Sequence, residues 1–175
     1  MNNARRAPEL DPDANPASVA RAIVLRQLTN SPKSRFQLSQ KLAERHIPED
    51  VAEAVLDRFV EVKLIDDAEF AMLWVRSRSM YKSLSRSALQ RELAEKGIAE
   101  DVAQEALEQI DPDTERDQAK ELVRRKLKGS LDLSERSERD KYTRRWVAML
   151  ARKGFSPSLA FAIVAEVIDE SFLDD

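Results

Sequence analysis

One stretch of this chain is written twice. Residues 35–56, RFQLSQKLAERHIPEDVAEAVL, lie over residues 86–107, RSALQRELAEKGIAEDVAQEAL, at a constant offset of 51, and 11 of the 22 positions are identical. A further offset of 57 sets Trp146, Leu150, Phe155, Leu159, Ile163 and Val164 on Leu89, Leu93, Ile98, Val102, Ala106 and Leu107, so a third copy keeps the pattern without the letters. Self-similarity at this period marks a tandem array, and a unit of about 50 residues buries too little apolar surface to be very stable by itself. Neighbouring copies are therefore expected to share interfaces along an elongated or curved array.

Within each copy the apolar positions follow helical spacing. Leu38 and Leu42 are four apart, and Val51, Val55, Leu56 and Phe59 form a stripe on a second helix. Ser34 and Ser85 occupy equivalent places at helix starts, where a side-chain oxygen can take up a free N–H, and Gln37 completes a capping box in the first copy. Gly97 and Gly154 are equivalent, each one residue before an apolar Ile98 or Phe155, where the chain must reverse through a left-handed residue. His46 holds that place in the first copy and is expected to serve as a turn residue.

A third helix precedes each pair. The first runs from about Pro16 to Thr29. The second starts at Asp66 as N-cap and is expected to carry Phe70, Leu73, Trp74 and Ser77 on one face. The third runs from about Pro112 until Gly129 ends it. The expected fold is all-α: three tandem three-helix repeats at residues 16–63, 64–111 and 112–170, between tails at 1–15 and 171–175. Sparse glycine and few aromatics fit helices better than strands.

The same composition narrows the chemistry. The absence of cysteine removes thiol nucleophiles and zinc-thiolate sites, and one histidine cannot build a multi-histidine metal centre. Three glycines are too few for glycine-rich phosphate cradles. Paired carboxylates such as Asp66 and Asp67, or Glu49 and Asp50, sit at helix starts, where the macrodipole already accounts for them. No catalytic, cofactor or metal site is expected. No run approaches the length needed to span a bilayer, and the N-terminus, rich in proline and aspartate, lacks the apolar core of a secretory signal, so a cytoplasmic location is expected.

Net charge is −3, yet the charges are segregated. Residues 116–153 hold thirteen Lys/Arg against six Asp/Glu, and residues 74–96 hold six against two. A helix C-terminus favours cations, which accounts for Arg124, Arg125, Lys126 and Lys128, but the cluster continues through Arg136, Arg139, Lys141, Arg144 and Arg145. That excess points to an anionic partner. Trp146 falls on the place of Leu89 and Leu38, so packing is favoured over base stacking, and Trp74 is expected to wedge between units. Tyr81 and Tyr142 are more open to a surface role.

Three blocks resemble the RecX regulatory proteins, a family that modulates the RecA recombinase. Leu64-Ile65-Asp66-Asp67-Ala68-Glu69-Phe70-Ala71 followed by Trp74-Val75-Arg76-Ser77-Arg78 is similar to the family's central signature. Arg91-Glu92-Leu93-Ala94-Glu95-Lys96-Gly97-Ile98 is similar to its second block, and Arg152-Lys153-Gly154-Phe155-Ser156 to its third. The departures are mostly lost glycines: His46 and Lys63 stand where the family commonly has glycine, and Lys82-Ser83-Leu84-Ser85 replaces a glycine-containing turn.

The resemblance implies a non-enzymatic protein that lies along the RecA filament on DNA and limits its growth, ATPase and recombination activity. Its partner would be that filament, with weak contact to single-stranded DNA, and the chain is expected to act as a monomer. The residues expected to meet protein or DNA are Arg76, Arg78, Lys82, Arg86, Arg124, Arg125, Arg144, Arg145 and Arg152, all acting electrostatically. Two alternatives stay open from the residues alone: a direct DNA-binding helical protein, and a passive protein-protein adaptor.

Overall fold

The computed structural model describes residues 15–127, 133 and 135–172. Every regular element among them is a helix: α1 Pro16–Asn30, α2 Arg35–Ala43, α3 Glu49–Glu61, α4 Asp67–Lys82, α5 Arg86–Glu95, α6 Glu100–Leu107, α7 Pro112–Leu127, α8 Arg136–Arg152 and α9 Pro157–Ser171. The fold is all-α, a succession of three-helix groups. Gly129, expected to end α7, lies outside the described residues. Positions equated by the two offsets are buried alike: Leu38, Leu89 and Trp146 on the second helix of each group, and Leu56, Leu107 and Val164 on the third.

The starts of the helices follow from side-chain chemistry. Ser34, in extended backbone, accepts from Gln37 N–H at 3.2 Å, while the Gln37 side chain accepts from Ser34 N–H, closing the capping box. Ser85 Oγ accepts from Ala88 N–H at 3.1 Å. Asp66 takes the N–H of Glu69 at 3.0 Å and Asp111 that of Thr114 at 2.8 Å, so both carboxyls titrate below the usual range, chiefly because a backbone N–H bonds to them.

The turns are left-handed where the repeat requires it. Gly97 and Gly154 have φ of +70° and +89°, and His46 adopts +57° in the equivalent place. Behind the turn, Ile47 N–H bonds to the Leu42 carbonyl and Phe155 N–H to the Leu150 carbonyl, each at 3.2 Å, which takes up a carbonyl that the helix end leaves free. Among the described residues the other non-glycine positions of positive φ are Lys63 (+58°) and Ser83 (+48°). At His46, Lys63 and Ser83 the backbone thus takes a glycine-like conformation without a glycine.

The chain divides into two compact units, one of residues 1–70 with Lys96–Ile98, the other of Ala71–Glu95 with residues 99–175. In the first, Ala20 and Val24 of α1, Leu38 and Leu42 of α2, and Ala52, Val55, Leu56 and Phe59 of α3 form one core together with Ile65. In the second, Ala119 and Val123 of α7, Trp146 and Leu150 of α8, and Ala160, Ile163, Val164, Val167 and Ile168 of α9 form another.

The same joint appears once in each unit. In the first, Ser34 Oγ donates to the Lys96 carbonyl at 2.7 Å, Arg35 N–H donates to Asp67 at 2.8 Å, and Gly97 lies so close that an added Cβ would sit 2.4 Å from Phe36. In the second, Ser85 N–H donates to the Lys153 carbonyl at 3.0 Å, Arg86 N–H donates to Glu115 at 2.8 Å, and an added Cβ on Gly154 would sit 2.5 Å from Ser85 Oγ. The starts of α2 and α5 are thus each closed by a carbonyl, a glycine and a carboxylate from the following three-helix group.

The expected face of α4 is corrected by the structure. Phe70 is buried, but Leu73 and Ser77 face outward, and it is Ala71 and Val75 that are buried with it. Residues 70–75 of α4, FAMLWV, are all apolar, so spacing alone does not pick the inner side. Trp74 is half-buried and its indole N–H donates to Glu92 at 2.8 Å.

Candidate partner-binding surface

The nine basic residues singled out from the sequence all belong to one unit, Ala71–Glu95 with residues 99–175, and the structure sorts them by what already neutralises them. Arg78 lies 4.3 Å over the Trp74 ring and pairs with Glu92 at 3.3 Å, the same carboxylate that accepts the indole N–H, so cation and aromatic are locked together. Arg86 is half-buried; its guanidinium reaches the Ile110 carbonyl and Gln104, each at 3.4 Å, and holds α5 to the end of α6. Its counterpart Arg35 is bound instead by two carboxylates, Glu53 and Asp57, each at 2.6 Å, which raise its pKa further.

Arg124 belongs to a ladder between α7 and α9. Arg116 and Lys120 bond to Glu166, and Lys120 and Arg124 to Glu170, the last pair at 2.8 Å. The bond from Lys120 is the main cause holding both glutamates below their ordinary range, and in return Glu166 and Glu170 raise the lysine. Arg125 pairs with Glu121 one turn back, at 3.0 Å. Along α8, Lys141 pairs with Glu138 at 3.1 Å and Arg139 lies 5.9 Å from the Phe172 ring centre.

The remaining five, Arg76 and Lys82 on α4 and Arg144, Arg145 and Arg152 on α8, are exposed and form no ion pair among the described residues. The ends of the two helices meet: Lys153 Nζ donates to the Lys82 carbonyl, which places Arg152, Lys153 and Lys82 in one neighbourhood. Lys153 was not among the residues singled out. It occupies the place of Lys96, just before the turn glycine, and that equivalence was the available signal.

Exposed cations outside any ion pair among the described residues can attract an anionic partner electrostatically. Among the described residues, no cluster of three or more His, Asp or Glu could hold a metal ion, and no helix is long and apolar enough to cross a membrane.

Residues 20–59 match the family model of the first three-helix domain of RecX, and residues 66–107 that of the second. The regulatory protein RecX of Streptomyces coelicolor is 44% identical over 165 residues, covering 94% of this chain and 86% of that protein. The chain belongs to the RecX family of regulatory proteins. RecX of Mycobacterium avium is 47% identical over 145 residues, 83% of this chain and 82% of that one. The fold agrees: the crystal structure of RecX from Lactobacillus salivarius superposes with a TM-score of 0.69 at 22% identity, covering 87% of this chain and 96% of that one. A second RecX crystal structure gives 0.67 at 27% identity, covering 85% and 71%. In this RecX chain the central signature block carries Arg76 exposed and Arg78 paired, so one motif serves both the surface and the packing of α4.

Proposed function

We propose that this RecX chain binds the RecA recombinase filament on DNA and restrains its growth, ATPase and recombination activity, acting as a cytoplasmic monomer without catalysis of its own. The supporting observation is the set of exposed cations that form no ion pair among the described residues, Arg76, Lys82, Arg144, Arg145 and Arg152, on a scaffold of the RecX family. A filament of recombinase on DNA offers repeated anionic surface, and a tandem protein with three repeats at residues 16–63, 64–111 and 112–170 offers repeated contacts to match it. Segregated charge favours fast, oriented encounter more than raw affinity.

Filament length read by electron microscopy tests this. RecA assembled on single-stranded DNA should give shorter filaments when the chain is present below one copy per recombinase subunit. Filaments of unchanged length at equimolar protein contradict it. A protein that gripped DNA directly would instead bind an oligonucleotide tightly without recombinase, with an affinity falling steeply as salt rises.

A further inference from the structure

The first turns of α1 do not close fully against α3. Within the first unit the two helices leave a groove of about 350 Å³, at the lower end of the range for ligand pockets, which suits a side chain or two rather than a helix. Buried Val55 and Phe59 form its floor, and Ala17 on α1 and Ala54 on α3 keep it open because neither side chain reaches across. Three exposed charged residues stand at its rim, Arg21, Arg58 and Asp50. Arg58 pairs with Glu61 at 2.8 Å, an exposed contact that contributes little, and Arg21 donates to Ser18 at 3.1 Å.

The chain meets this groove at its own N-terminal end. Helix α1 begins at Pro16, so the residues before Asn15 join the fold beside Ala17, at the edge of the groove. Among residues 1–14 the large apolar side chains are Met1 and Leu10. Leu10 is set in Pro8-Glu9-Leu10-Asp11-Pro12, where the two prolines restrict the backbone, so less freedom is lost on docking. Seven residues take the chain from Leu10 to Ala17, up to about 24 Å, which is ample to fold back over the first turn of α1.

We propose that this groove is the docking site of the chain's own segment Pro8–Pro12, with Leu10 seated on Val55 and Phe59. Charge argues for this occupant. Glu9 and Asp11 flank the leucine and would meet Arg21 and Arg58, while Arg6, four residues before Leu10, would meet Asp50, which lies two turns from Arg58, about 12 Å along α3. Tethering favours this segment over the same segment of a second copy or a foreign peptide, because a short link sets an effective concentration in the millimolar range that a free competitor must exceed. The inference is independent of RecA regulation.

The chain has no cysteine, so Ala7→Cys in the full chain gives a single point for a nitroxide label. Nuclear magnetic resonance then reads which backbone amides the label broadens. The amides of Val51, Ala54 and Arg58 should lose most of their intensity, and adding Leu10→Ser to the labelled chain should restore at least half of it. Leu10 precedes every described helix, so that variant keeps the fold. Ala54→Gln, at an exposed position of α3, obstructs the groove from the other side and should relieve the broadening at Val51 and Arg58 in the same way. Broadening that is the same with and without Leu10→Ser overturns the proposal, as does broadening confined to the start of α1, which a tether gives without docking. Mixing labelled chain with unlabelled, isotope-enriched chain separates the copies: broadening in the enriched chain assigns the groove to a second copy and overturns the proposal. If Ala54→Gln weakens binding to RecA filaments while Leu10→Ser leaves the broadening unchanged, the groove belongs to the recombinase, and the proposal is likewise overturned.

Discussion

At the residue scale the joints between successive groups are the most demanding positions in the molecule. Gly154 combines positive φ with a backbone neighbour, Ala88 N, 3.1 Å from where a Cβ would sit, and Ser85 Oγ closer still. Gly154→Ala should destabilise the fold by about 2–4 kcal/mol in urea titration, from left-handed strain plus the displacement of Ser85 and Ala88. His46→Gly should change stability by less than about 1 kcal/mol, because relief of the strained backbone is offset by the greater freedom of glycine in the unfolded chain. A large loss there would show that the imidazole does more than turn the chain. Ser34→Ala removes both the helix cap and the bond to the Lys96 carbonyl at a fully buried position, and should cost about 1–3 kcal/mol in the same titration.

At the scale of elements, the ion ladder between α7 and α9 makes stability depend on pH at both ends. Glu166 and Glu170 titrate lower in the folded chain than when unfolded, so their contribution is complete above about pH 5 and is lost as pH falls through their folded values. Lys120 titrates higher when folded, so its contribution holds below about pH 10 and is lost as pH rises through the folded value. Melting temperature should therefore be level across the neutral range and decline on both sides. High salt should blunt both declines, since Arg116, Arg124 and both glutamates are partly open to solvent. Replacing Glu166 and Glu170 by glutamine should flatten much of the acid decline; an unchanged acid limb would mean that other carboxylates carry it.

The elements differ in how far they can be read from letters. The caps at Ser34 and Ser85 and the turns at Gly97 and Gly154 are visible in the sequence because a serine oxygen or a missing Cβ has a local consequence, and repetition shows each twice. The inner face of α4 is not visible, since Leu73, Trp74 and Val75 are all apolar and only tertiary packing selects Val75. The basic surface is half visible: counting charges finds the excess, but whether Arg86 or Arg124 is free depends on Ile110, Gln104 and Glu170, residues distant in sequence.

For the whole molecule, the proposed restraint of a recombinase rests on RecX membership and on the exposed cations. Converting Arg144 and Arg145 to glutamate should weaken inhibition of the recombinase while leaving helical content and melting intact, because neither makes an ion pair among the described residues and both are exposed on α8. Inhibition fully retained by that variant would remove the pair from the interface. The most direct measurement is a titration of this chain into RecA on single-stranded DNA, reading DNA-dependent ATP hydrolysis. Turnover should fall at less than one copy of the chain per recombinase subunit, and turnover unchanged at equimolar protein would contradict the assignment.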